Sequence, residues 1–324
     1  MEDTAASDAS LDRGRDAVSA ARVRVLAADV AADHGVDLAR MQRANGYSNA
    51  TWVGGGIAVR IAHTPVDMAY EAALVRALPP QVGHPKILGA GVAAGHGWMV
   101  TQQVRGQNLE QAWPTLTSAE QGSAVRQLWA RTQSVHDASP ALSRLVASHG
   151  GYVPATIDAA IARARRTGVA LSLSTAQQSR LYAIIQGYFD AAPLVKQTVN
   201  HGDLALMNAL WDGEVVALLD FEFAVLGPIE IDLCRLLAET RTSAGGGDVA
   251  SEAGDAAVEI AAHHMDRTHG RALIHGAAIL DQLRDMNIWL ALGGGEDGAE
   301  DWRPSRMLAD LIGAEGGYLA PLLQ

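Results

Sequence analysis

Apolar positions recur at helical spacing from Asp16 to His34, with Val18, Val23, Leu26 and Val30 along one stripe. The pattern then shortens. Between Gly46 and Ile61, two β-prone runs flank Gly54-Gly55-Gly56, which predicts a hairpin. A helix is predicted over Met68–Leu78, stopped by Pro79-Pro80. Ile87-Leu88 and Trp98–Thr101 are strand candidates, so the first hundred residues predict a small sheet with one helix across it. After Gly106 helical periodicity dominates. Helices are expected over Ser118–His136, Ile157–Arg166, Ala176–Ala191, Asp232–Thr240, Ala253–His269 and Leu273–Leu292. Ser118 and Thr175 are the expected N-caps. A short β region, Thr198–Ala224, interrupts them, and the glycine runs 245–247 and 293–295 read as exposed loops. The fold class is therefore α+β. Residues 1–16 are expected as a tail, 17–105 as a small sheet lobe and 106–324 as a larger, mainly helical lobe.

The β region carries the candidate chemistry. It reads Asn200-His201-Gly202-Asp203-Leu204-Ala205-Leu206-Met207-Asn208-Ala209-Leu210-Trp211, turns at Asp212-Gly213, and continues through Val215 to Asp220-Phe221-Glu222. Two apolar strands around a tight turn bring both ends to one side, so Asp203, Asn208 and Asp220 are expected to converge. Hard oxygen donors converging in this way suit Mg²⁺, which is held by few protein oxygens and completed by substrate phosphates. Phosphoryl transfer needs such a kit: one carboxylate to orient and deprotonate the attacking hydroxyl, and further oxygens to hold the metal.

Composition narrows the partners. Lys and Arg total 25 against 36 Asp and Glu, a net charge of -11. That balance argues against nucleic acid and against anionic lipid. The lone Cys234, in an apolar run, allows no internal disulfide and reads as a buried structural thiol. The acidic start carries no secretory pattern and no run reaches membrane-spanning length, so a cytoplasmic protein is expected. His263-His264, His269 and His275 do not read as a metal site, because adjacent helical residues diverge by about 100°. Met286, Ile288, Trp289 and Leu290 are expected in the core.

The His-Gly-Asp, four residues, Asn, then Asp-Phe-Glu arrangement resembles the aminoglycoside phosphotransferase and choline kinase superfamily, from about Gly46 to Leu237. The resemblance implies a protein-kinase-like, two-lobed fold and an ATP- and Mg²⁺-dependent phosphotransferase, with GTP left open. It implies Asp203 as the catalytic base, and Asn208 and Asp220 as the metal ligands. His201 is expected to shape the catalytic loop through hydrogen bonds, while Glu222 stays open between a metal or substrate contact and a solvated or capping role. In Gly227–Leu233 the resemblance makes Asp232 a brace for the catalytic loop. Upstream, Gly46-Tyr47-Ser48-Asn49 resembles the phosphate-covering turn, Arg60 stands where the family often has Lys, and Glu71 is the helix glutamate that pairs with it. Trp98–Gly106 resembles the hinge strand, where the backbones of Gln102 and Val104 would meet adenine. The expected acceptor is a hydroxyl of a small molecule of aminoglycoside type. Asp281, Asp285, Glu296 and Asp297 either receive its amines or form solvated faces. An amino-alcohol or sugar metabolite, of choline or homoserine type, is the alternative, and a nucleotide-binding pseudokinase is a further one. A monomer or homodimer is expected.

Overall fold

The computed structural model describes residues 20–44, 49–62, 68–147, 153–241, 251–291 and 303–324. The chain divides into two compact units. Its described residues up to Arg76, with His84–Arg105, form the first; Ala77–Gly83 and Gly106 onward form the second.

The first unit is a five-stranded antiparallel sheet in the order β1-β2-β3-β5-β4, from β1 (Gln42–Ala44), β2 (Asn49–Gly54), β3 (Ile57–Ala62), β4 (Ile87–Ala93) and β5 (His96–Gln102). The predicted hairpin is β2–β3, registered Asn49↔Ala62 to Gly54↔Ile57. Helix α1 (20–33) buries Val23, Leu26, Ala27 and Val30 in one core with Trp52, Ile57, Val59, Ile61 and Val100. The sheet therefore has a second helix besides α2 (Ala69–Ala77), which the pattern did not assign to it. Alternation along β3 puts Val59 and Ile61 in that core and leaves Arg60 on the opposite face.

The second unit is mainly helical: α3 (Leu109–Ala112), α4 (Ser118–Asp137), α5 (Ser139–Ala147), α6 (Ile157–Ala170), α7 (Thr175–Ala191), α8 (Glu230–Arg241), α9 (Glu252–His264), α10 (Gly270–Ala291), α11 (Arg303–Ile312) and α12 (Ala320–Leu323). α10 packs against α6, α7, α8 and α11. Short strands interrupt the helices: β6 (Gln107–Asn108), β8 (Ala209–Trp211) and β9 (Val215–Leu218) form one sheet, ordered β6-β8-β9. A second sheet pairs β7 (Thr198–Asn200) with β10 (Val225–Gly227).

The caps of α4 and α7 fall one residue earlier than expected, on Thr117 and Ser174. Each place offers two capping hydroxyls in tandem. The one three residues before Glu120 or Gln177 wins, because only there can both side chains close a reciprocal capping box. The stretch expected as one helix from Ala253 to His269 ends at His264, where Asp266 Oδ1 accepts the Thr268 and His269 N–H groups in a turn before α10. Ile288, expected in the core, is 46% exposed. Among the described residues no helix is long and apolar enough to cross a membrane.

His275 of α10 donates from Nε2 to the Leu311 carbonyl of α11 at 2.8 Å. Burial, with Arg180 nearby, holds this imidazole below its ordinary pKa, against the opposing effect of the hydrogen bond. Below the ordinary value of about 6.5, the unfolded chain binds a proton that the folded chain refuses. Stability should therefore fall as pH drops through that value toward the folded pKa. Urea denaturation across this range should show the slope, and His275→Gln should flatten it.

Candidate active site

β7 leads into the loop His201-Gly202-Asp203. Gly202 has φ +82°, and a Cβ there would overlap the Phe223 carbonyl, so glycine is required on both counts. The loop is held from below by Asp232, in the first turn of α8 and fully buried. Its Oδ2 accepts the His201 N–H and its Oδ1 the Gly202 N–H, both at 2.9 Å. His136, at the end of α4, adds a third contact, Nε2 to Oδ2 at 2.9 Å. One carboxylate thus joins α4, the loop and α8. The His201 side chain donates from Nε2 to the Leu219 carbonyl at 2.9 Å. A carbonyl can only accept, so Nδ1 is the bare nitrogen, and it accepts the Asp203 N–H at 3.3 Å.

Asp203 and Asn208 meet directly. Asn208 Nδ2 donates to the Asp203 carbonyl at 2.9 Å and to its Oδ2 at 3.0 Å. Both partners are pure acceptors, which fixes the amide orientation and leaves the Asn208 oxygen as a hard donor. The Asn208 carbonyl accepts the Leu219 N–H at 2.8 Å, which brings in the residue before Asp220. Asp220 itself is left-handed, φ +62°, a conformation that Asp tolerates better than most side chains. Phe221 is fully buried and packs on His201, with ring centroids 4.4 Å apart. Met207, one residue before Asn208, is anchored from β6 by the Asn108 side chain, whose Nδ2 donates to its carbonyl.

Two arginines that the motifs did not single out complete the surroundings of Asp203. Arg235 Nη2 lies 3.1 Å and Arg284 Nη2 3.4 Å from Asp203 Oδ1. Burial pushes the Asp203 pKa up, but Arg235 and Arg284, with help from His201 and Asn208, outweigh it and hold the carboxyl below its ordinary range. Arg235 also reaches Glu239 and Asp281 at 3.7 and 3.4 Å. Glu239 in turn accepts the Leu206 N–H. Asp281 does not form a solvated face. Asp281 is 1% exposed, and both it and Asp285 are engaged by Arg235 and Arg284. Glu296 and Asp297 lie outside the described residues. Arg235 could be seen in the sequence, three positions after Asp232 on one helix. His136 ends a helix, Leu128–His136, that resembles the family's own; Arg284 and Asn108 gave no such signal, since nothing local distinguishes them from other helix or turn residues.

In the first unit Arg60 and Glu71 form a two-pronged pair, Nη1 to Oε1 at 2.9 Å and Nη2 to Oε2 at 2.7 Å. Glu71 is 3% exposed, so this is not a solvated helix face. Asn49 opens β2 and is buried. The Gln102 N–H is committed to the Lys86 carbonyl, so only the Gln102 carbonyl could serve a base there. Val104 lies past the end of β5. Ser48, with Gly46 and Tyr47, lies outside the described residues. Cys234 is fully buried, and burial pushes its thiol well above the ordinary range.

Among the described residues no three His, Cys, Asp or Glu side chains cluster to hold a metal by themselves. An amide oxygen and one carboxylate, as Asn208 and Asp220 would supply, make the sparse oxygen set that Mg²⁺ accepts when phosphates complete its shell. The Asn208 side-chain oxygen, which the two bonds from Nδ2 leave to accept, fits that requirement.

The model of the phosphotransferase enzyme family matches residues 40–271. No curated protein matches significantly. A choline/ethanolamine kinase family protein from Mesorhizobium loti is 18% identical, with a TM-score of 0.61 over 87% of this chain and 92% of its own. A thermostable mutant of the aminoglycoside phosphotransferase APH(4)-Ia, in ternary complex with AMP-PNP and hygromycin B, is 13% identical, with a TM-score of 0.62 over 86% and 95%. APH(3'')-Id from Streptomyces rimosus is 20% identical, with a TM-score of 0.53 over 79% and 96%. At these identities the likeness is one of fold, and the fold is protein-kinase-like.

Proposed function

Because the chain belongs to the phosphotransferase enzyme family, we propose that it transfers the γ-phosphoryl group of ATP to a hydroxyl of a small molecule. The observation that carries this reading is the junction at Asn208. Its NH₂ is pinned to Asp203, its carbonyl is tied to the residue before Asp220, and its side-chain oxygen is left for a hard cation. The solved relative that holds AMP-PNP and hygromycin B supports a nucleotide and a hydroxyl-bearing acceptor.

Asp203 takes the role of orienting the acceptor hydroxyl. Held ionised by two guanidinium groups, it is a ready hydrogen-bond acceptor and a weak base. That suits a loose transition state in which the proton leaves late. Orientation therefore contributes more here than proton abstraction. Arg60, fixed by Glu71 through both Nη atoms, would supply a permanent positive charge for phosphate oxygens. Asn208 and Asp220 would hold Mg²⁺, which when bound neutralises phosphate charge. Asp220→Asn should weaken Mg²⁺-nucleotide binding by at least the roughly 10- to 100-fold that loss of even an outer partner costs a metal. Calorimetry with and without Mg²⁺ measures this, and equal binding would remove Asp220 from the ligand set.

The acceptor is of aminoglycoside type in the first reading. The second reading is an amino-alcohol or sugar metabolite; the engagement of Asp281 and Asp285 by arginines leaves them less able to receive ammonium groups and so favours, within it, the sugar. Phosphoryl incorporation across aminoglycosides, macrolides, choline, homoserine and sugars separates the two. ATP binding without transfer to any acceptor, proteins included, would replace both with a pseudokinase.

A further inference from the structure

Arg284, on α10, is 7% exposed and in contact with three parts of the site. Its Nη1 donates to the Gly202 carbonyl at 3.2 Å. Its Nη2 lies 3.4 Å from Asp203 Oδ1 and 3.1 Å from Asp281 Oδ1. Its Nε donates to Asp285 Oδ1 at 2.9 Å. Its guanidinium carbon stands 5.0 Å from the centroid of the Phe223 ring, which directly follows Asp220-Phe221-Glu222. One planar group therefore touches the loop that bears Asp203 and the segment that bears Asp220.

A buried guanidinium surrounded by carboxylates is a poor way to gain stability, because desolvation cancels much of the attraction. It is a good way to fix register, since five N–H groups in a rigid fork can satisfy several acceptors only in one arrangement. We propose that Arg284 is a positioning residue: it holds the Asp203 loop and the segment after Asp220 at a fixed separation from α10. This rests on the phosphotransferase reading and extends it to a side chain outside the motifs. The other charged groups facing the pair are Arg235 and Glu239 from α8, Asp281 and Asp285 from α10, and Arg163 from α6. Arg235 neutralises Asp203 as well, but its remaining contacts run to Glu239, Asp281 and Asp285 and not to Gly202 or Phe223.

The test separates fork from charge. Arg284→Lys keeps the cation for Asp281 but offers one ammonium in place of the fork. With saturating acceptor, its kcat should fall by about 10²-fold, the cost of a displacement near 1 Å. Wild-type kcat in Arg284→Lys would overturn the inference and leave the phosphotransferase reading standing. Absence of transfer by the wild type would sink that reading. Hydrogen exchange needs no acceptor and decides the inference in either case. Amides of 201–208 should exchange faster in Arg284→Lys while those of α10 keep their protection, and an unchanged loop would overturn it. Arg284→Gln, which also removes the charge, should lower kcat at least as far as Lys does. If it fails to fold, the Lys variant still gives the answer.

Discussion

Asp203→Ala should lower kcat by about 10²- to 10⁴-fold, the range for losing a positioned acid–base group. Nucleotide affinity should change little. The carboxylate sits between two guanidinium groups and the Asn208 amide, and in the Ala variant the backbone carbonyl of residue 203 still accepts from Asn208 Nδ2, which keeps the amide of the proposed Mg²⁺ ligand in its orientation. Removing the carboxylate leaves Arg235 and Arg284 with Glu239, Asp281 and Asp285 as partners, so the fold should survive. Asp203→Asn should be less impaired than Asp203→Ala, because an amide oxygen still accepts the hydroxyl's hydrogen bond and orients it, although it cannot take the proton. Steady-state rates and ATP titration on the same preparations give the split. Wild-type turnover by Asp203→Ala would dismiss the assignment. An equal loss in kcat and in ATP affinity would instead place Asp203 among the nucleotide-binding groups.

The second large effect is on stability. Asp232→Ala removes the single acceptor of the His201 and Gly202 N–H groups and of His136 Nε2. Taking one partner from a buried pair costs about 3–5 kcal/mol. Each stranded backbone donor alone accounts for about 1–3 kcal/mol. Urea denaturation at fixed pH should show the loss as a shift in midpoint. Turnover should fall in the fraction that stays folded, since Gly202 and Asp203 are adjacent and the loop has lost its floor. Asp232→Asn retains one oxygen and should fall between wild type and Ala. A stable, active Asp232→Ala would mean that the loop is held elsewhere, with His201 Nε2 to Leu219 the next candidate.

Much of this molecule was legible in the residues. The β2–β3 hairpin follows from two β-prone runs around glycines, and the start of α4 from a capping hydroxyl only one residue off the expected position. The meeting of Asp203 and Asn208 follows from a four-residue interval in a tight loop. Arg60 and Glu71 are 11 residues apart and were paired in advance through the family resemblance; the structure joins them by two hydrogen bonds.

Local order along the chain thus determined the helices, the hairpins and the identity of the chemical groups, because periodicity, caps and turns are set by neighbours within a few residues. Only the tertiary structure decided what surrounds those groups. Asp281 and Asp285 read as acids on a helix face until α8 brought Arg235 against them. His136 read as a helix end until Asp232, 96 residues later, came within 2.9 Å. Charge compensation in a buried site depends on side chains distant in sequence and close in space, and no interval along the chain encodes that distance.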